Sequence, residues 1–159
     1  MADFLEDRDD WSMTNCSVAR ALEIVGTRSA MLILREAFLG TRRFHDFARR
    51  VGIGEPVAAA RLKELTAQGL LERVPYQEPG QRTRDEYRLT RKGGELLPVI
   101  TALRQWGDDW AADSTGPSVR ATHRECGSPV HARLRCDAGH DVDQRDIEIT
   151  AGPGLIAVS

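Results

Sequence analysis

The chain has 159 residues, 41% of them hydrophobic and 29% charged, enough for one domain with a proper core and a small appendage. No apolar run approaches the roughly 18–20 residues of a membrane span, and the acidic start MADFLEDRDD lacks the basic and apolar regions of a signal peptide. A cytoplasmic protein with no membrane contact is expected. The three cysteines, Cys16, Cys126 and Cys136, are too few and odd in number for a disulfide framework.

The net charge of −2 conceals an uneven distribution. Residues 1–40 carry 4 basic and 7 acidic side chains, residues 41–92 carry 12 and 7, and residues 93–159 carry 6 and 10. The middle third therefore has a surplus of positive charge, the footprint of a small polyanion-binding face. Ordinary solvated surface is the alternative.

In chain order, CSVARALEIVG places Val18, Leu22 and Val25 on one helix face and stops at Gly26. SAMLILREAFLG, with Ser29 as N-cap, is apolar almost all round and reads as the central buried helix. TRRFHDFARRVG spaces Phe44, Phe47 and Val51 at helical intervals behind Thr41 as a cap, and Gly52-Ile53-Gly54 makes a tight turn. A slim helix over 57–68 follows, with Pro56 in its first turn and Ala58, Leu62 and Leu65 as its inward stripe. After Gly69, LLERVPY and DEYRLT flank the polar loop QEPGQRTR as a hairpin. Thr90 caps a final long helix over 91–113, in which Leu96, Val99, Ile100, Leu103, Trp106 and Trp110 form an apolar band. STGPS, residues 114–118, reads as a linker, and 119–159 as a small strand-rich tail.

Helix–turn–helix followed by a hairpin is a winged helix–turn–helix. The expected fold is therefore α+β, with a winged helix–turn–helix and long C-terminal helix over 1–113, the linker 114–118, and a ribbon-like extension over 119–159. A helix that enters a major groove roughly 12 Å wide must be slim at its leading end, and Val57, Ala59 and Ala60 keep it so. At about 100° per residue from the inward stripe, Val57, Lys63, Glu64 and Ala67 point outward, with Ala60 and Arg61 on the flanks. Lys63 suits a phosphate. Arg61 reaches DNA only sideways, or else forms an ion pair at the core edge. Arg82 and Arg84 on the wing, with Gln81 and Thr83, suit phosphate contact or minor-groove insertion. Arg42 and Arg43 beside Thr41 suit backbone phosphates, and Pro56 completes the candidate DNA-binding set. On the long helix, Leu103, Trp106 and Trp110 exceed what one small domain needs to cover, which points to a dimer contact or to packing under the tail.

From CSVARALEIVGTRSAMLILREAFLGTRRFHDFARRVGIGEPVAAARLKELTAQGLLERVPYQE to DEYRLTRKGGELLPVITALRQWG, residues 16–107, the chain resembles the HxlR-type transcriptional regulators, relatives of the MarR-type winged-helix regulators. The resemblance implies a homodimeric bacterial regulator of double-stranded DNA, associated with the nucleoid. It places the dimer contact on the first helix, at Val18 and Leu22, and on the long terminal helix. It further implies a repressor on an inverted-repeat operator. The family's usual tryptophan before the central helix is absent, since Gly26-Thr27-Arg28-Ser29 stands there.

Cys16 matches the family's N-terminal cysteine, which in some members senses oxidants or electrophiles. Locally, the free N–H groups of a helix start favour a thiolate, and Arg20 lies one turn on; Asp9 and Asp10 oppose this. An inert helix-start cysteine is the alternative, and a small-molecule or oxidant effector is left open. In the tail, His123-x2-Cys126 and Cys136-x3-His140 make two knuckle-like pairs at zinc-ribbon spacing, with Gly127 and Gly139 for the turns. A structural zinc is the one cofactor this leaves open, against a metal-free ribbon. No Gly-rich phosphate loop, nucleophile elbow or HExxH occurs, so an enzyme is not expected. A metal-responsive regulator, or a protein-interaction adaptor acting through the tail, are the alternatives to a DNA-binding repressor.

Overall fold

A computed structural model describes residues 11–157. Residues 1–10, which the expected first domain and the Asp9–Asp10 argument include, and the last two residues of the tail lie outside the described residues. Contacts divide the chain into two compact units, one of Ile24–Ala132 and one of residues 11–23 with 133–157.

The first unit is built on α2 (Arg28–Phe38), whose N-cap is Thr27 rather than the expected Ser29. The Thr27 hydroxyl accepts from Ala30 N at 3.2 Å, so the helix begins one residue before Ser29. Ala30, Ile33 and Leu34 are fully buried. They meet Phe47 and Val51 of α3 (Phe44–Val51) and Leu62 and Leu65 of α4 (Glu55–Ala67) in one core, which Val25, Leu70 and Leu71 complete. The inward stripe of α4 is Ala58, Leu62 and Leu65, as its periodicity predicts. Leu62 and Leu65 are both shielded from water, so truncating either to alanine would cost about 2–5 kcal/mol. Gly52, at φ 70°, ends α3 in the left-handed region that a side chain resists, and Gly69, at φ 68°, turns the chain out of α4.

The hairpin pairs β2 (Leu71–Tyr76) with β3 (Arg84–Leu89), from Leu71 opposite Leu89 to Tyr76 opposite Arg84. Its base is fixed from both sides. Tyr87 N donates to Arg42 O at 2.8 Å, and Thr90 N donates to Leu70 O at 3.1 Å. Thr90 also caps the next helix as predicted, accepting from Gly93 N at 3.1 Å while its hydroxyl donates to Gly69 O at 2.6 Å.

The expected single long helix is two. Helix α5 (Arg91–Gly94) stops after one turn, and α6 runs from Leu97 to Trp110 with Pro98 in its first turn. A proline there has no N–H for the preceding turn to accept, so the break falls just ahead of it. The apolar band divides accordingly. Leu96 and Ile100 pack on the core, whereas Val99, Leu103, Trp106 and Trp110 are exposed.

Residues 114–118 do not separate units. Beyond them Arg104 Nη1 donates to Val119 O at 3.4 Å and Gln105 Oε1 accepts from Ala132 N at 3.1 Å, which ties this stretch to α6. In the second unit, β1 (Trp11–Ser12) pairs antiparallel with β4 (Ile156–Ala157), and α1 (Ser17–Val25) runs from this unit into the first. Between 119 and 157 the strand character amounts to isolated bridges, Thr122 with Pro129 and Arg135 with Asp141, and the short strand β4.

Candidate nucleic-acid interface

Gly54 caps α4 through its extended backbone, and Pro56 occupies the first turn without loss of a bond. Along the leading half, Glu55, Pro56, Val57, Ala59 and Ala60 are exposed, so the helix presents a narrow and mostly apolar tip. Ala60, expected on a flank, belongs to this exposed surface. Lys63 is exposed as expected and, among the described residues, joins no ion pair. Arg61 takes the alternative that the sequence left open: its side chain is 30% exposed and its guanidinium pairs with Glu64 along the same helix.

The start of α3 differs more from expectation. Thr41 neither caps the helix nor faces solvent. It is buried, and its hydroxyl donates to Glu36 Oε2 at 3.0 Å while Arg35 holds Oε1 at 2.8 Å. Burying the Glu36 carboxylate demands these donors, because an unpaired buried charge is costly; the threonine serves the interior. Arg43 occupies the cap position instead, with no side-chain cap bond.

Arg42 and Arg43 do stand at the surface beside the wing, each engaged by a carboxylate. Arg42 Nη1 lies 3.5 Å from Glu86 Oε1. Arg43 pairs with Glu78 of the wing loop and stacks 5.0 Å from the Tyr76 ring centre. The hydrogen bond and charge of Glu78 raise the Arg43 pKa further above its ordinary value. The Glu86 carboxyl is held below its usual range by its hydrogen bond from Arg88, ahead of the charges of Arg88 and Arg42. Arg42, Arg43 and Arg50 line a cavity of about 340 Å³ with Asp46 and Glu86, open beside the wing.

At the wing tip Gly80, at φ 77°, makes the turn. Gln81 Nε2 donates to Glu78 Oε2 at 3.0 Å, so Gln81 braces the loop. Arg82, Thr83 and Arg84 are exposed, and among the described residues neither arginine forms an ion pair. Among the described residues, the cations of this face that join no ion pair are thus Lys63, Arg82, Arg84 and Arg50, the last missed by the sequence reading because its helix periodicity alone did not separate it from solvated surface. The carboxylates at Glu78 and Glu86 were also missed. The arginines they engage across the fold, Arg43 and Arg42, lie 35 and 44 positions away along the chain, a separation that no local pattern spans.

Elsewhere, Cys16 is half-buried directly before α1, and its carbonyl accepts from Arg20 N at 3.0 Å. The Arg20 guanidinium is directed to Asn15 Oδ1 at 2.9 Å. Val18 and Leu22 on α1 are exposed, and so are Leu103, Trp106 and Trp110 on α6, the last two at 60% and 78%. In the tail His123 Nδ1 lies 3.2 Å from Cys126 Sγ, and Ser128 hydrogen bonds draw the Cys126 thiol below its ordinary pKa. Gly127 and Gly139 make the two predicted turns, and Cys136 N donates to His140 O at 3.0 Å. The two pairs fall in different units, and among the described residues no three His, Cys, Asp or Glu gather as a metal-ligand group.

With helix, turn, helix and wing in place, the family comparison decides the kinship: the profile of the HxlR-like helix-turn-helix family matches residues 24–115. The chain belongs to the HxlR-like helix-turn-helix family. It is 44% identical over 142 residues to the HTH-type transcriptional regulator Rv3095 of Mycobacterium tuberculosis, covering 89% of each. Among solved structures, PA1607, a candidate transcription factor, aligns with TM-score 0.76 at 36% identity, covering 87% of this chain and 96% of that one. The reduced form of the redox regulator HypR aligns with TM-score 0.52 at 27% identity, covering 58% and 90%. The HxlR-like chain is accordingly a transcriptional regulator of helix–turn–helix type. Among the described residues no helix is long and apolar enough to cross a membrane.

Proposed function

We propose that this HxlR-like regulator binds an inverted-repeat operator as a homodimer and represses transcription by occupying it. The observation that carries the reading is the pairing of a slim exposed tip on α4 with two exposed arginines on the adjoining wing that join no ion pair among the described residues. Helix α4 enters the major groove, Lys63 and the wing residues Arg82 and Arg84 hold phosphates, and Arg42 and Arg43 add contacts as phosphates displace Glu86 and Glu78. The exposed stripe Val99, Leu103, Trp106 and Trp110 recurs at intervals of four, three and four, the spacing of a helix seam that a second copy would cover. A dimer places two recognition helices about one DNA turn apart, which matches an inverted repeat.

A second feature favours control by thiol chemistry: the half-buried Cys16 at the start of α1, together with structural likeness to a protein named as a redox regulator. Selection of bound sequences from random duplex DNA, followed by affinity against salt, tests the main reading. An enriched inverted repeat bound with a steep negative salt slope supports it. Failure to enrich any sequence under reducing conditions overturns it. On the enriched fragment, a thiol oxidant is expected to change affinity in the wild type and not in Cys16→Ser; equal responses refute control through Cys16.

A further inference from the structure

Sequence readout in the major groove needs chemistry matched to a base edge. Guanine and adenine are read by bidentate donors, cytosine by a carboxylate, and thymine by an apolar group against its 5-methyl. The leading half of α4 exposes Glu55, Pro56, Val57, Ala59 and Ala60. It contains no Arg, Lys, Asn, Gln, Ser or Thr to pair with a purine. Its one polar side chain, Glu55, is engaged: Glu55 Oε1 lies 2.9 Å from His45 Nδ1 of α3. Arg61, one turn further on, is tied to Glu64. What remains is Val57, 47% exposed although it is a branched apolar side chain, with Ala60 in the next turn of the same exposed surface.

We propose that this helix reads its operator through thymine 5-methyl groups, with Val57 as the specificity-determining residue and Ala60 beside it. The inference rests on the DNA-binding reading above and adds the chemical identity of what is read. Phosphates position the helix, and the apolar tip then gains by excluding water from a methyl group that only thymine presents in the major groove. Glu55, paired with His45, does not compete for a base, and the small neighbours Ala59 and Ala60 let Val57 approach the groove floor.

The test uses the enriched operator and the intact protein. Each thymine of a half-site is replaced in turn by deoxyuridine, which removes the methyl and leaves the pairing unchanged, and affinity is measured for wild type and Val57→Ala. One or two positions are expected to lose about fourfold in the wild type, the weight of one buried methyl. At those positions the variant loses affinity on the thymine duplex and shows no further loss on the deoxyuridine duplex. Because Val57 is half-exposed and lies outside the core, the variant keeps its fold, which an unchanged unfolding midpoint verifies. If every deoxyuridine substitution leaves wild-type affinity within about twofold, the proposal falls while the DNA-binding reading stands. If Val57→Ala responds to deoxyuridine as the wild type does, the methyl is read elsewhere and Val57 loses its role. If the wild type retains no duplex at all, both readings fall together.

Discussion

Two adjacent glycines in α5 should respond to the same substitution with opposite signs. A Cβ on Gly93 would stand 2.1 Å from Leu70 O, 3.0 Å from Leu70 C and 3.1 Å from Leu89 Cδ2. The nearest atom is backbone, and it is already committed, since Leu70 O accepts from Thr90 N at 3.1 Å and is 3.3 Å from the Thr90 hydroxyl. Relief requires α5 to move off the base of the wing. Overpacking typically costs about 1–3 kcal/mol, and a rigid obstacle places the cost at or above the upper end; the better helix propensity of alanine returns about 1 kcal/mol. Gly93→Ala should therefore destabilise by about 2 kcal/mol. Gly94→Ala meets nothing within 4 Å and should stabilise by about 0.5–1 kcal/mol through propensity and reduced freedom of the unfolded chain. Urea unfolding followed by far-ultraviolet circular dichroism distinguishes the two. At a slope of about 2 kcal/mol per molar, Gly93→Ala should lower the midpoint by about 1 M and Gly94→Ala should raise it slightly. A Gly93→Ala midpoint at or above wild type would refute the close approach of α5 to Leu70.

Removing the Glu78 carboxylate by Glu78→Gln should free Arg43 for phosphate, raise operator affinity several-fold and steepen the logarithmic salt slope by about 0.9; an unchanged slope would show that Arg43 does not reach DNA. Arg82→Ala and Arg84→Ala should each do the reverse, weakening binding to all duplexes alike and flattening the slope by about 0.9. Leu103→Asp puts a charge in the middle of the exposed α6 stripe. It should convert a dimer to monomers in analytical ultracentrifugation and reduce operator affinity roughly a hundredfold through loss of the second half-site, whereas a wild type that sediments as a monomer removes the dimer altogether. Because the folded pKa of Glu86 is depressed, its ties to Arg88 and Arg42 contribute stability above the ordinary carboxylate range. That stability is lost as pH falls through the folded value, which lies on the acid side of the ordinary glutamate range. Glu86→Gln should flatten stability against pH in that window alone, and parallel acid curves for the two proteins would contradict the assignment.

Local patterns were enough to place the helix–turn–helix and the wing. The stripe Ala58, Leu62 and Leu65 faces the core because helical periodicity leaves it nowhere else to go, and Gly69 and the Thr90 cap mark their turns by backbone chemistry that needs no distant partner. The slim tip at Val57, Ala59 and Ala60 was legible for the same reason. What the tertiary structure alone decided is which polar groups are spent inside the molecule. Thr41 reads as a surface cap until the buried Glu36 claims its hydroxyl, and Arg42 and Arg43 read as free cations until the wing folds back with Glu86 and Glu78. The band on the last helix likewise reads as one face, yet Leu96 and Ile100 turn to the core and Val99, Leu103, Trp106 and Trp110 do not. Periodicity carries the burial of apolar side chains because packing repeats with the helix. The pairing of charges does not repeat: it depends on chain segments brought together by folding, and the sequence order holds no record of their distance.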